Sequence, residues 1–532
     1  MTLLAEIASP DYTPFWILAA GVVFVILSIV KFRLHPFLGL TLGAVLVGLI
    51  TPELPELTKV NGFWSDQEGA SHLIQAINWA MAGFGTLVGK IGFVIAMAAV
   101  IGTCMMESGA ADKIVRRLMD KLGEDRAAWA MLISGFVLSI PVFFDTVFFL
   151  LIPLARALAL RTGKNYTLYV CAVAGAGAIT HTIVPPTPGP LIIAESLHQS
   201  AGDAIIAGLL AAIIPVALVM WLAKRFNEQL NIPLRETKGS SLDALGKVID
   251  KKDDELPGFG ISILPVVLPV ILISMVTFIE MVIGIRLAAG FGSPVSPEIY
   301  KWLEFFGNKN VAMFLAALIA MYALAKQRGW TFGKLGESMN TPLETAGVII
   351  LITGAGGAFG SMIGHSGIGD TIKAIGVNEG GTAGMLFMAW LLTAVIRAAQ
   401  GSATVSMITG SGIMAPIIGG MMEANMLECH PIYFCLAIGF GAFPLSWMND
   451  SGFWVVQRMS GFTEKETLKT WTVMLTAIGV VGIIQVIVMS TILPLKPKYW
   501  DPWEASVEQP QINSTEASAS PGNLLLPPRR QR

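Results

Sequence analysis

Charged residues are scarce in this chain: Asp, Glu, Lys and Arg supply 14% of its 532 residues. A soluble globular chain carries roughly 25%. That shortfall excludes a soluble globular protein of this length and, with 54% hydrophobic residues, a disordered one. Only four cysteines occur, Cys104, Cys171, Cys429 and Cys435. Three of them fall in apolar segments, which speaks against a disulfide framework. The net charge of −2 leaves no basic footprint for nucleic acid. The six histidines form no HExxH pair, and no Walker glycine–lysine loop occurs. Those absences argue against an intramembrane zinc protease and a nucleotide-driven pump. Glu6 and Asp11 precede the first apolar run and no basic residue does. That run therefore reads as a retained membrane helix, not a secretory signal.

Long apolar runs are what the chain has. A spanning helix needs about 20 apolar residues. Full or near-full spans are predicted at 15–30, 36–51, 85–105, 203–223, 260–285, 311–325, 343–363 and 471–493. Four further stretches, 127–155, 166–197, 382–420 and 431–457, are apolar but interrupted. Basic residues in short loops set orientation. Placing 31–35, 113–126, 156–164, 224–258, 326–335 and 458–470 in the cytoplasm puts 23 of the 35 lysines and arginines there. This assignment predicts a multi-pass protein of the cytoplasmic membrane with both termini outside. Stretches 127–155 and 382–420 must then enter and leave on one side, as re-entrant hairpins or paired short helices. The other two interrupted stretches cross with a break. The tail from about 501 has the composition of a disordered segment.

An internal repeat accompanies this pattern. Ser108, Gly109, Asp112, Ile114 and Thr146 recur as Ser366, Gly367, Asp370, Ile372 and Thr404 at one constant offset, and YVCAVAGAGA (169–178) recurs as YFCLAIGFGA (433–442). The expected fold is an all-α polytopic membrane protein. It has N-terminal scaffold helices (1–84), a first repeat (85–223), a linker with scaffold helices (224–342), a second repeat (343–493) and a tail (494–532). The charge assignment makes the two repeats inverted, a common architecture of secondary transporters.

Unwound backbone within hydrocarbon is tolerated only where it is buried in protein or lines a cavity. Breaks at matching places of two repeats therefore point to a binding site. The first hairpin turns around IPVFFDT (140–146). Asp145 is a carboxylate at membrane depth, where ionised groups are costly and usually functional, and Thr146 follows it. The second hairpin turns at QGSAT (400–404). Gly401 lets backbone approach a ligand, and Ser402 and Thr404 offer hydroxyls. Arg397 lies one turn earlier. Its guanidinium suits a carboxylate, or alternatively a salt bridge to Asp145 or Asp450 that only holds the fold. The first broken span contains THTIVPPTPGP (180–190). Four prolines there preclude continuous helix, and the helix resuming near Leu191 is expected to present free amides to an anion. Thr180 and His181 precede this break, and His181 is a candidate proton carrier. The second break reads SWMNDSG (446–452), with Asn449 and Ser451 as hydrogen-bonding candidates and Asp450 as the second deep carboxylate. Glu428, Cys429 and His430 resemble metal ligands only loosely. No cofactor is implied.

THTIVPPTPGP (180–190), AVIRAAQGSATVSMITGSGI (394–413) and MNDSGFW (448–454), with ESGAADKI (107–114) and IPVFFDTVFFLLIPL (140–154), give the chain a family likeness. It resembles the gluconate permease (gluconate:proton symporter) family of the ion transporter superfamily over roughly residues 15–493. The resemblance implies proton-coupled uptake of gluconate or a related small hydroxylated monocarboxylate. It implies an elevator-like transport domain holding both hairpins, and a homodimer. It places Asp145 and Thr146 at one hairpin tip, Ser402 and Thr404 at the other, and Asn449 and Asp450 at the second break. Thr187 and Trp447 stand where family members often carry histidine, and Asp145 stands near where they often carry glutamate. Small anions, protons and the bilayer are the expected partners. A sodium-coupled carboxylate carrier or a D-serine-type carrier on the same fold is the alternative.

Overall fold

A computed structural model describes residues 11–55, 71–235, 255–288, 295–368, 371, 381–423, 426–448 and 450–495. Nine helices or joined helices among the described residues are long and apolar enough to cross a membrane. The chain is thus a multi-pass membrane protein.

Helices α1 (Thr13–Val30) and α2 (Pro36–Ile50) pair with each other, each with a proline in its first turn. A missing N–H needs no partner there. Helix α3 (His72–Ser108) starts well before the predicted run at 85. Its 37 residues reach roughly 55 Å at the α-helical rise. The stretch 113–126, expected as a charged loop, is mostly helix α4 (Ala110–Leu122). Ile114 and Val115 are buried on one side, while Arg117, Asp120 and Lys121 are exposed on the other. Such a helix is too short to register as an apolar span.

Helices α5 (Ala127–Leu138) and α6 (Phe144–Thr162) occupy the first interrupted stretch and are joined by a short turn containing Pro141. Helix α7 (Tyr166–Ile183) stops at Val184, which is extended, and α8 (Pro188–Ser196) follows. The helix thus resumes at Pro188, earlier than the Leu191 expected. Pro188 and Pro190 both fall in the first turn, where proline costs no hydrogen bond. Of the apolar window in 166–196, 94% is buried, so α7 and α8 run through the middle of the bundle. The predicted span 203–223 is two helices, α9 (Ala201–Ala211) and α10 (Ile213–Leu230), meeting at Ala212.

Next come α11 (Phe259–Ala288), α12 (Pro297–Gly307), α13 (Lys309–Arg328), α14 (Phe332–Ser338) and α15 (Asn340–His365). The second hairpin-like pair is α16 (Gly381–Gln400) and α17 (Ala403–Glu423). Gly401 lies between them with φ +86°, a conformation that favours glycine. The second interrupted span is α18 (Ile432–Gly441) and α19 (Ser451–Ser460). The short α20 (Glu464–Thr467) passes through a π-helical turn at 468–472 into α21 (Val473–Ile492).

Helix α15 packs on α2, α3 and α17, and α8 packs on α17. A Cβ on Gly360 of α15 would stand 3.0 Å from the Gly412 Cα of α17, so these two helices touch backbone to backbone. Small residues permit that approach in membranes.

Candidate functional site

The turns between helices converge on a cavity of about 330 Å³. Three helices begin at its wall. Phe144, Asp145 and Thr146 are the first residues of α6; Ser402, Ala403 and Thr404 open α17; and Asp450, Ser451 and Gly452 open α19. Each helix start carries unpaired N–H groups and about half a positive charge. Two are capped by side chains that also face the cavity. Ser402 Oγ accepts from Val405 N at 3.3 Å, and Asp450 Oδ1 accepts from Gly452 N at 3.0 Å. The start of α6 has no side-chain cap.

Arg397 comes from the last turn of α16 and is 3% exposed. Its Nη2 donates to Asp450 Oδ2 at 2.6 Å, and its Nη1 donates to the Gly401 carbonyl. Nε has no partner. Asp450 Oδ2 also accepts from Ser446 Oγ, which in turn accepts from Trp471 Nε1 at 2.7 Å. Asp450 is therefore fully engaged, and Arg397 is held as its partner. Of the two carboxylates expected as salt-bridge partners for Arg397, Asp450 is the one it meets. With that charge compensated, the helix starts are the positive features left at the cavity wall.

Asp145 differs from Asp450. It is half-buried, faces the cavity, and accepts no hydrogen bond among the described residues. His181 lines the cavity from the last turn of α7, with Nδ1 buried and without a partner among the described residues, and Phe143 edge-on at 6.2 Å between ring centroids. The hydroxyl of Thr180 points away, donating to the Ala176 carbonyl at 3.2 Å, and does not line the cavity. Gly401 contributes its carbonyl to Arg397 and its turn to the chain path, not wall to the cavity. Asn449 lies outside the described residues.

Thr187 and Trp447, which stand at positions of expected histidines, sit behind or beside the cavity wall. Thr187 Oγ1 donates to the carbonyls of His181 and Val184 at 3.0 and 2.8 Å, closing the helix break. Trp447 is 47% exposed and its Nε1 reaches the Ala398 carbonyl at 3.4 Å. Glu428 and His430 spend their side chains on Thr382 and on the Ile432 amide. Among the described residues no group of three ligands for a metal forms.

Comparison with known proteins supplies the family. A sequence model of GntP family permeases matches residues 13–492. The chain belongs to the GntP permease family. The gluconate permease of Pseudomonas aeruginosa is 33% identical over 88% of this chain and 95% of its own length. The Gnt-II system L-idonate transporter of Escherichia coli is 29% identical over 90% of this chain and 100% of its own. Among solved structures, the YdaH transporter of Alcanivorax borkumensis gives a TM-score of 0.56 at 15% identity, covering 91% of this chain and 100% of its own. That likeness is one of fold.

The permease cavity also includes residues that sequence reasoning passed over. Trp471 stacks near Phe144, with 5.2 Å between ring centroids, and anchors Ser446. Thr345 reaches the cavity from the first turns of α15, and Thr182 from α7. Nothing in the sequence marks Trp471 and Thr345, because each sits in or beside an ordinary apolar span. A larger cavity of about 550 Å³ lies further along the same helices. Glycines of α15 and α17 share its wall with the Trp79–Lys90 face of α3. Among its polar residues, Glu195 is ion-paired with Lys309.

Proposed function

We propose that this permease imports gluconate or a closely related sugar acid by proton symport. The carrying observation is the convergence of three helix starts with the hydroxyls of Thr146, Ser402, Thr404 and Ser451 on one cavity. Helix starts suit a carboxylate, and the hydroxyls suit a polyhydroxy chain. The substrate class follows the gluconate and idonate carriers to which the chain is similar. Asp145 carries the coupling proton, because Asp450 is already neutralised by Arg397. His181 stands one cavity wall away as its relay.

The paired breaks are the core of two inverted repeats, with α5–α6 and α16–α17 as re-entrant hairpins. Alternating access accounts for two cavities along α15 and α17. Thr345, Ile349 and Ile352 face the smaller one, and Gly356, Gly360 and Gly364 the larger. Gly360 and Gly412, whose helices touch there, both belong to the wall of the larger. By the charge assignment, the smaller cavity faces the cytoplasm. A homodimer is the assembly the family resemblance implies.

Proteoliposomes test this reading. Radiolabelled gluconate is expected to accumulate under an inward proton gradient without sodium, and a protonophore is expected to collapse it. Accumulation that appears only with sodium would replace proton by sodium coupling and make Asp145 a cation ligand.

A further inference from the structure

The far end of α19 is gripped at three successive carbonyls. Arg156 Nη1 donates to the Met459 carbonyl at 3.3 Å. Tyr166 Oη donates to the Ser460 carbonyl at 2.5 Å. Arg235 Nη1 donates to the Gly461 carbonyl at 3.0 Å. The three donors come from α6, the first residue of α7, and the segment after α10. They are also tied to one another. Arg156 Nη2 donates to the Arg235 carbonyl at 2.6 Å, and Arg235 makes a bidentate pair with Glu466 at 2.6 and 2.8 Å. Glu466 in turn closes a capping box with Thr463 at the start of α20.

None of these residues lines the cavity. Yet Arg156 is only 1% exposed, and burying a guanidinium is costly unless its donors are used. Here Nη1 is spent on the C-terminal end of a helix, where cations are favoured, and Nη2 on the Arg235 carbonyl, while Nε has no partner among the described residues. Helix α19 has ten residues, roughly 15 Å at the α-helical rise, and its other end is the cavity wall. Helix α6 runs alongside it and also begins at the cavity. The two helices are thus bolted together at their far ends by the Arg156 bond to Met459.

We infer that Arg156, Tyr166 and Arg235 are positioning residues for substrate binding. They fix the depth and tilt of α19, so that its start and that of α6 meet the substrate carboxylate together. The inference rests on the reading of the cavity as the sugar-acid site.

Gluconate uptake by the full chain in proteoliposomes tests it, with KM and kcat measured separately. Tyr166→Phe removes one hydroxyl and keeps ring and charge. It is expected to raise KM about three- to tenfold, the worth of one hydrogen bond, while kcat and the thermal midpoint stay near those of the unaltered protein. Arg156→Lys keeps the charge but loses the fork and is expected to raise KM further. Arg458→Gln is the control. It removes a charge from the exposed face of the same helix, where Arg458 lies over Trp454 at 5.8 Å, and it is expected to leave KM unchanged. An unchanged KM in Tyr166→Phe and Arg156→Lys, beside saturable uptake by the unaltered protein, overturns the clamp alone. An equal rise in Arg458→Gln overturns it too, in favour of bulk charge. Absence of gluconate uptake by the unaltered protein overturns the site reading and the clamp with it.

Discussion

Methionine in place of Arg397 is expected to cut gluconate uptake by about 100-fold or more and to destabilise the protein by ~3–5 kcal/mol. Both effects follow from the pairing with Asp450. Their side chains are 3% and 6% exposed. Removing the guanidinium strands a carboxylate in a buried place, which is the costly outcome for an ion pair. It also frees the Gly401 carbonyl and so loosens the turn that presents Ser402 and Thr404. Stability and binding can be separated by adding Asp450→Asn. That change removes the stranded charge, and asparagine caps a helix about as well as aspartate. The thermal midpoint of the double variant is expected to return towards that of the unaltered protein while uptake stays absent. Recovery of both would make the pair a structural tie with no part in transport.

Asp145→Asn is expected to abolish accumulation while leaving the protein folded. A gradient of one pH unit coupled to one proton supports about tenfold accumulation. The variant is expected to reach equilibrium and no further, yet still to exchange internal for external gluconate. The argument is one of elimination between two carboxylates. Asp450 holds three hydrogen bonds, from Arg397, Ser446 and Gly452. Protonating it would break a buried network. Asp145 has no such bonds to lose and faces the cavity directly. Asparagine keeps its shape and cannot exchange a proton. Intact proton-driven accumulation in this variant would move the coupling to another group, with His181 the first to examine.

Much of the cavity wall was legible because polar residues stand out in apolar stretches. Asp145, Arg397, Ser402 and Asp450 announce themselves by their cost in hydrocarbon, and the prolines of 185–190 by breaking a helix. What periodicity could not decide is which way a side chain faces once helices pack. Thr180 turns its hydroxyl to its own helix, and Arg397 turns to Asp450, 53 positions later. Trp471 and Thr345 reach the cavity only through tertiary packing. The missed helices α4 and α12 are each shorter than a span, and their signal is amphipathicity, not a hydrophobic run. Arg156 and Arg235 read as cytoplasmic loop charges, yet they serve the far end of the helix that starts at the site.

The central claim is that the cavity under the three helix starts binds a sugar acid. Counterflow tests it without any ion gradient. Proteoliposomes loaded with unlabelled gluconate are diluted into a trace of labelled gluconate. A transient uptake overshoot is expected from the unaltered protein and from Asp145→Asn. None is expected from the Arg397→Met/Asp450→Asn double variant. No overshoot from the unaltered protein, or an equal one from the double variant, would contradict the account.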